Sequence, residues 1–116
     1  MPEITLYGIK NCDTVKKARR WLDDHGIDYR FHDFRADGLT AAQVDAWLNE
    51  FGLDLVNKRS TSWKALDPAT RDALTVENAT PVILDTPTLI KRPLLDTGRV
   101  RRTGFKPAEY EALLAG

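Results

Sequence analysis

The stretch Leu6-Tyr7-Gly8-Ile9-Lys10-Asn11-Cys12-Asp13-Thr14-Val15-Lys16-Lys17 passes from an apolar run into a charged, helix-spaced one, and it carries the single cysteine of the 116-residue chain. Upstream, Ile4-Thr5-Leu6-Tyr7 is a short β-type run that Gly8 ends. Downstream, Asp13 through His25 has helical spacing, with Val15, Ala18, Trp21 and Leu22 on one face and Lys16, Lys17, Arg19, Arg20 and Asp23 largely off it. Gly26 reads as the stop. Cys12 therefore falls where a strand turns into a helix. That setting matters because a thiol is a nucleophile only as a thiolate. A free thiol titrates near ~8.5, and a helix N-terminus or nearby cations bring thiols down to roughly 3.5–7.5. Lys10, Lys16 and Lys17 stand beside Cys12 in sequence; Asp13 opposes the trend unless its carboxylate caps the helix instead.

Working outward, Ile27-Asp28-Tyr29-Arg30-Phe31-His32-Asp33-Phe34 alternates apolar and polar residues and predicts a half-buried strand. The first third is thus strand–helix–strand, a unit whose crossover is expected to be parallel and right-handed. Thr40 to Phe51 predicts a helix with Thr40 as N-cap, an apolar stripe of Val44, Trp47, Leu48 and Phe51, and Gly52 as stop. Asn57 to Trp63 is polar and basic. Short helical pieces are expected around Ala65–Leu66 and Pro68–Leu74, the second introduced by Asp67-Pro68. Thr80 to Ile90, bracketed by Pro81 and Pro87, is read as a short helix. Lys91 to Leu95, the turn Asp96-Thr97-Gly98 and Arg99 to Arg102 form an expected hairpin, and Pro107 to Leu114 a closing helix. The order β-α-β, helical insert, β-β-α is that of an α/β thioredoxin-like fold with an inserted helical subdomain. The expectation is one domain over 1–116, the insert covering about 38–88.

Composition narrows the function classes. The chain has 17 basic and 17 acidic residues, so no nucleic-acid or membrane partner is expected. No apolar run approaches a membrane span, and the N-terminus lacks a signal-peptide layout, which points to the cytoplasm. One cysteine excludes an intramolecular disulfide, and with two histidines it argues against a structural zinc site. The chain has no P-loop, dinucleotide fingerprint or His-Glu-x-x-His motif, so no tightly bound cofactor is expected. A monomer is the default expectation.

Four blocks, in order, carry a resemblance: Tyr7-Gly8-Ile9-Lys10-Asn11-Cys12-Asp13-Thr14, Asn57-Lys58-Arg59-Ser60-Thr61-Ser62-Trp63, Leu89-Ile90-Lys91-Arg92-Pro93-Leu94 and Gly104-Phe105-Lys106-Pro107. Through them the chain resembles, nearly end to end, the arsenate reductase-like branch of thioredoxin-fold proteins. That branch holds glutaredoxin-coupled arsenate reductases, Spx-type transcription regulators and YffB-type proteins, and the chain is most similar to the YffB type. The resemblance implies that Cys12 is the attacking thiol, with Lys16 at the basic position of its loop. It implies that Arg59 and Arg92 face the thiolate and oxyanion, and that Pro93 is the cis proline of the fold. It places Asn11, Thr14, Lys16, Pro93 and Lys106 at the substrate or glutathione. Two departures weaken arsenate as the substrate. Lys106 replaces a third arginine, and an ammonium lacks the bidentate fork that grips a tetrahedral oxyanion. Val15 stands where the reductases keep a hydroxyl or a second thiol.

With no second cysteine, a Cys12 mixed disulfide must be resolved from outside, so glutathione, glutaredoxin or a partner protein's thiol or disulfide is the expected partner. The reading is a glutathione-linked thiol reductase. A non-enzymatic Spx-like regulator and a glutathione-binding module stay open. So do blander assignments for single residues: Cys12 as a small core residue, Arg59 as a solvated charge, and Arg99, Arg101 and Arg102 as edge-strand charges that block aggregation. His25 and His32 read as structural or exposed, Trp21 and Trp47 as core, and Trp63 as a packing residue.

Overall fold

Four short strands and six helices appear in a computed structural model that describes residues 3–114. They divide between two compact units, one made of residues up to Asp37 together with those from Arg92 onward, the other of Gly38–Lys91. The first and last two positions of the expected 1–116 domain lie outside the described residues.

The first unit contains β1 (Thr5–Gly8), α1 (Asp13–Asp24), β2 (Arg30–Asp33), β3 (Leu94–Asp96), β4 (Arg101–Thr103) and α6 (Pro107–Leu114). Its sheet has the order β2-β1-β3-β4, with β1 and β2 parallel and the β1/β3 and β3/β4 pairs antiparallel. This β-α-β plus β-β-α arrangement, with a helical segment inserted between the halves of the chain, is a thioredoxin-like fold. Leu6, Ala18, Leu22, Leu95 and Tyr110 are fully buried and form its core, with Trp21, Tyr29, Phe31 and Phe105 packed against them. Each buried leucine contributes about 1.5–3 kcal/mol relative to an exposed one. Phe105 and Trp21 meet the Tyr110 ring edge-on at 4.8 and 5.7 Å. Burial, with the Glu109 charge adding to it, pushes the Tyr110 hydroxyl well above the ordinary tyrosine range.

Three expectations change here. β2 is shorter than the alternating run Ile27–Phe34. On its β2 side the four residues of β1 pair with Arg30 to Asp33 alone, and the Ile27 N–H is drawn back to the α1 carbonyl of Leu22 at 3.0 Å. Trp21 is half-buried, stacked on exposed His25 at 3.8 Å, rather than fully in the core. Arg99 sits in the hairpin turn, where the Asp96 carboxylate accepts the Gly98 N–H at 2.8 Å. Only Arg101 and Arg102 lie on the edge strand β4. Arg101 pairs with Asp96 at 3.1 Å and Arg102 with Glu109 at 3.8 Å.

The second unit is helical: α2 (Ala41–Phe51), α3 (Thr61–Lys64), α4 (Pro68–Ala73) and α5 (Ala79–Asp85), with 3-10 turns at Gly52–Leu55 and Pro87–Leu89. α2 starts in a capping box. Thr40 Oγ1 accepts the Gln43 N–H at 3.1 Å and Gln43 Oε1 accepts the Thr40 N–H at 3.0 Å. It stops at Gly52, whose φ of +63° suits a residue without a side chain. Polar cross-links join distant segments: Thr80 Oγ1 donates to Asp45, and the Ser62 and Thr88 hydroxyls share a hydrogen bond. Val44, Trp47, Leu48, Leu55, Val56, Ala79, Ile83, Leu89 and Ile90 are buried. α3 begins earlier than the expected piece at Ala65–Leu66, because Ser60 Oγ accepts the Trp63 N–H at 3.0 Å and starts the helix inside the polar run. Pro68 takes the first position of α4, and Asp67 occupies its N-cap without a side-chain bond. Among the described residues, no helix is long and apolar enough to cross a membrane.

Candidate functional site

Cys12 is the N-cap residue of α1. Its backbone is extended (φ −117°, ψ 123°), and its carbonyl accepts the first intrahelical bond, from the Lys16 N–H at 2.9 Å. Its side chain makes no capping bond and is half-buried. Asp13, considered above as a cap, is instead the first helical residue. It adds a negative charge to the first turn, and Cys12 takes the cap position. Asn11, Thr14 and Lys16 are exposed around this turn. Val15 points the other way. It is fully buried, and a Cβ added to Gly8 would lie 2.7 Å from Val15 Cγ2. Position 15 is therefore a packing contact between the start of α1 and the end of β1.

The sheet register decides what else reaches this end of the unit. β1 runs toward Gly8 and the Cys12 connection. Tyr7 pairs with Leu94 in the antiparallel β3, so the end of β1 lies beside the start of β3, and Arg92-Pro93 directly precedes Leu94. Leu94 also pairs with Thr103, which places the segment after β4, containing Lys106, at the same end. The Gly104 N–H donates to the Pro93 carbonyl at 2.8 Å, joining these two segments. The Arg92-Pro93 bond is cis, Pro93 is buried, Arg92 half-buried and Lys106 exposed. One sheet end thus carries the turn with Asn11, Cys12, Thr14 and Lys16, together with Arg92, Pro93 and Lys106. Arg59 belongs to the helical unit. It is exposed on the turn before α3, and its N–H donates to Asn57 Oδ1 at 3.0 Å.

One residue at this end was missed in the sequence reading. Asp33, the last residue of β2, is 6 % exposed. Its Oδ1 accepts the N–H groups of Arg35 and Ala36 at 2.7 and 3.1 Å, and its Oδ2 that of Lys10 at 3.3 Å. Burial pushes its carboxyl upward. The amide donations from Arg35, Ala36 and Lys10, helped by the Lys10 charge, more than offset that and hold it below the ordinary aspartate range. Asp33 therefore fastens the loop that leads into Cys12 to the end of β2. The signal was present in the strand's parity. Ile27, Tyr29 and Phe31 set an inward face, and Asp33 falls on it two residues after Phe31.

The profile of the ArsC family matches residues 7–113. The chain belongs to the ArsC family. A solved YffB protein is 42% identical, with a TM-score of 0.91 over 96% of this chain and 98% of that one. The solution structure of an arsenate reductase (ArsC) related protein from Brucella melitensis is 44% identical, with a TM-score of 0.77 over 95% of this chain and 92% of that one. The global transcriptional regulator Spx of Staphylococcus saprophyticus is 27% identical over 96% of this chain and 86% of its own length. The ArsC-family relatives thus include both reductase-related proteins and a regulator.

Proposed function

We propose that this ArsC-family protein is a cytoplasmic, glutathione-linked thiol reductase whose single nucleophile is Cys12. The observation that carries the reading is the placement of Cys12 as a half-buried N-cap at the sheet end that also carries Arg92-Pro93. The first-turn N–H groups of α1 favour negative charge on the sulfur. Lys16 and Arg92 stabilise the thiolate and the charge that develops on the adduct, and Lys106 adds a weaker cation. Asn11, Thr14 and the Pro93 segment hold glutathione.

In the reaction, the Cys12 thiolate attacks the glutathione-side sulfur of a mixed disulfide. A Cys12–glutathione disulfide forms, and the substrate leaves as a thiolate that takes up a proton. A second glutathione thiolate, or glutaredoxin, then attacks that disulfide and restores the Cys12 thiolate; with glutathione the product is oxidised glutathione. One substrate disulfide is reduced, and two glutathione moieties end joined as a disulfide. Lys106 and the buried Val15 favour a glutathionylated protein or small disulfide over arsenate.

The likeness to Spx supports a second reading, a non-enzymatic regulator. A Cys12-x-x-Val15 turn has no internal dithiol to switch, so regulation would depend on an external thiol. Three measurements separate the readings. Iodoacetamide should alkylate Cys12 at neutral pH at least ~10-fold faster than it alkylates free glutathione. A coupled assay with a glutathionylated peptide, glutathione and glutathione reductase should show turnover that Cys12→Ser abolishes. Glutathione binding by calorimetry without turnover would replace the reductase with a binding module, and neither binding nor turnover would favour the regulator.

A further inference from the structure

The first two turns of α1 carry Lys16, Lys17, Arg19 and Arg20 against one carboxylate, Asp13, in a chain of 17 basic and 17 acidic residues. Lys16, Lys17 and Arg20 are exposed, and among the described residues none of the three forms an ion pair. Such a run by itself is a solvated helix face. Arg19 sets this one apart. Its Nε donates to the Tyr29 hydroxyl at 3.0 Å, and its guanidinium carbon lies 4.2 Å from the centre of the Phe31 ring. Tyr29, just before β2, and Phe31 within it thus hold the half-buried arginine in one place. Its terminal nitrogens have no hydrogen-bond partner among the described residues. Fixing a side chain so rich in rotamers costs entropy, and here it leaves a pre-organised fork ready to receive a carboxylate. Cys12, Lys16 and Arg19 are spaced i, i+4 and i+7, so they follow one stripe of the helix, with Arg19 about 10 Å along its axis from Cys12.

We propose that this stripe docks the acidic flank of a protein substrate. An extended chain advances about 3.3 Å per residue, so the substrate is a glutathionylated cysteine with a carboxylate about three residues away. This names the substrate class and rests on the reductase reading above. The carboxylate takes the Arg19 fork while the disulfide meets Cys12, and Lys17 and Arg20 draw in further acidic residues. A nucleic-acid strand would meet the same charges but not the free aromatic platform on which bases stack, because Arg19 occupies the Phe31 face.

The test uses the full-length protein and fluorescein-labelled peptides in which serine replaces the cysteine, so that binding is read without reaction. One peptide has aspartate three residues from the serine, the other asparagine. The aspartate peptide should bind about fivefold tighter at low ionic strength, and the difference should vanish at about 0.5 M salt. Arg19→Gln should abolish the preference and leave the asparagine peptide unaffected. Lys17→Gln and Arg20→Gln, at exposed positions where folding is not at stake, should each lower it about twofold. Equal affinity for the two peptides, or a preference unchanged in the Arg19 variant and in the Lys17/Arg20 double variant, would overturn the docking surface. Displacement of the aspartate peptide by an equal concentration of a short oligonucleotide or of free glutathione would do the same. The glutathionylated cysteine forms of both peptides, in the coupled assay, separate this surface from the reaction. Turnover that is equal on both sequences sinks the surface and spares the reductase. A binding preference without turnover on either sinks the reductase and leaves the stripe as a dock for an acidic segment.

Discussion

The sheet-bearing unit and the helical unit place their polar groups by different means. Around Cys12 the bonds that matter are long-range. Asp33 holds the Lys10 N–H across 23 residues of sequence, the Phe34 N–H donates to the Gly8 carbonyl, and Gly104 reaches Pro93. In the helical unit the starts of α2 and α3 are held by neighbours, Thr40 with Gln43 and Ser60 with Trp63, and the turn before α5 by Thr75 with Asn78. The Thr80–Asp45 and Ser62–Thr88 bonds are added across it. The sheet unit leaves the buried Asp33 carboxylate fully engaged, whereas the helical unit leaves the buried Nε of Arg71 unpaired. The lesson is that long-range polar bonds position a reactive loop, while local caps define elements without committing the surfaces between them.

The largest blow to this contrast should come from Asp33→Asn, which removes the charge that accepts three amide bonds near the Cys12 loop. A loss of about 1.5–3 kcal/mol is expected in urea unfolding, together with slower alkylation of Cys12. The effect is pH-dependent with a definite sign. The folded carboxyl titrates below its ordinary value of 3.8, so its contribution is complete above that pH and disappears as pH falls through the folded value. The gap between wild type and variant should be constant from neutral pH to about pH 5 and close below about pH 4. A gap that widens in acid would remove Asp33 from this role.

Gly8→Ala should come next, at about 1–3 kcal/mol, because its Cβ would overlap the buried Val15 side chain at 2.7 Å. Slower Cys12 alkylation should accompany the loss, since Val15 lies in the first turn of α1; an unaltered rate would show that the contact serves packing alone. Thr40→Ala should have the smallest effect, about 1 kcal/mol, with faster hydrogen exchange at the start of α2 and unchanged alkylation of Cys12. A change at Cys12 equal to that of Asp33→Asn would erase the distinction between long-range positioning and local capping.

Much of the helical unit was legible in advance for the same reason. Thr40, Gly52 and Asp67-Pro68 act within one turn of their own positions, and the expected bounds of α2 and α4 lie within a residue or so of those observed. α3 was displaced because Ser60 was hidden in a run of polar residues whose capping bond depends on which hydroxyl finds an N–H. β2 was overextended because alternation records which face a residue takes, while strand length depends on how much partner strand exists. Asp33 was passed over although its parity marked it as inward, since an aspartate at a strand end ordinarily faces water.

By itself the sequence determined the kinds and order of the elements and the position of a lone thiol at a strand-to-helix boundary. These depend on periodicity, caps and glycine stops that act over a few residues. Only the tertiary structure decided that Asp33 is buried under three amide donors, that Val15 is locked against Gly8, that the Arg92-Pro93 and Lys106 segments share the sheet end of Cys12, and that the buried Nε of Arg71 has no hydrogen-bond partner. Each of those facts depends on which atoms meet across tens of residues, and strand register and side-chain packing set that choice where local pattern cannot.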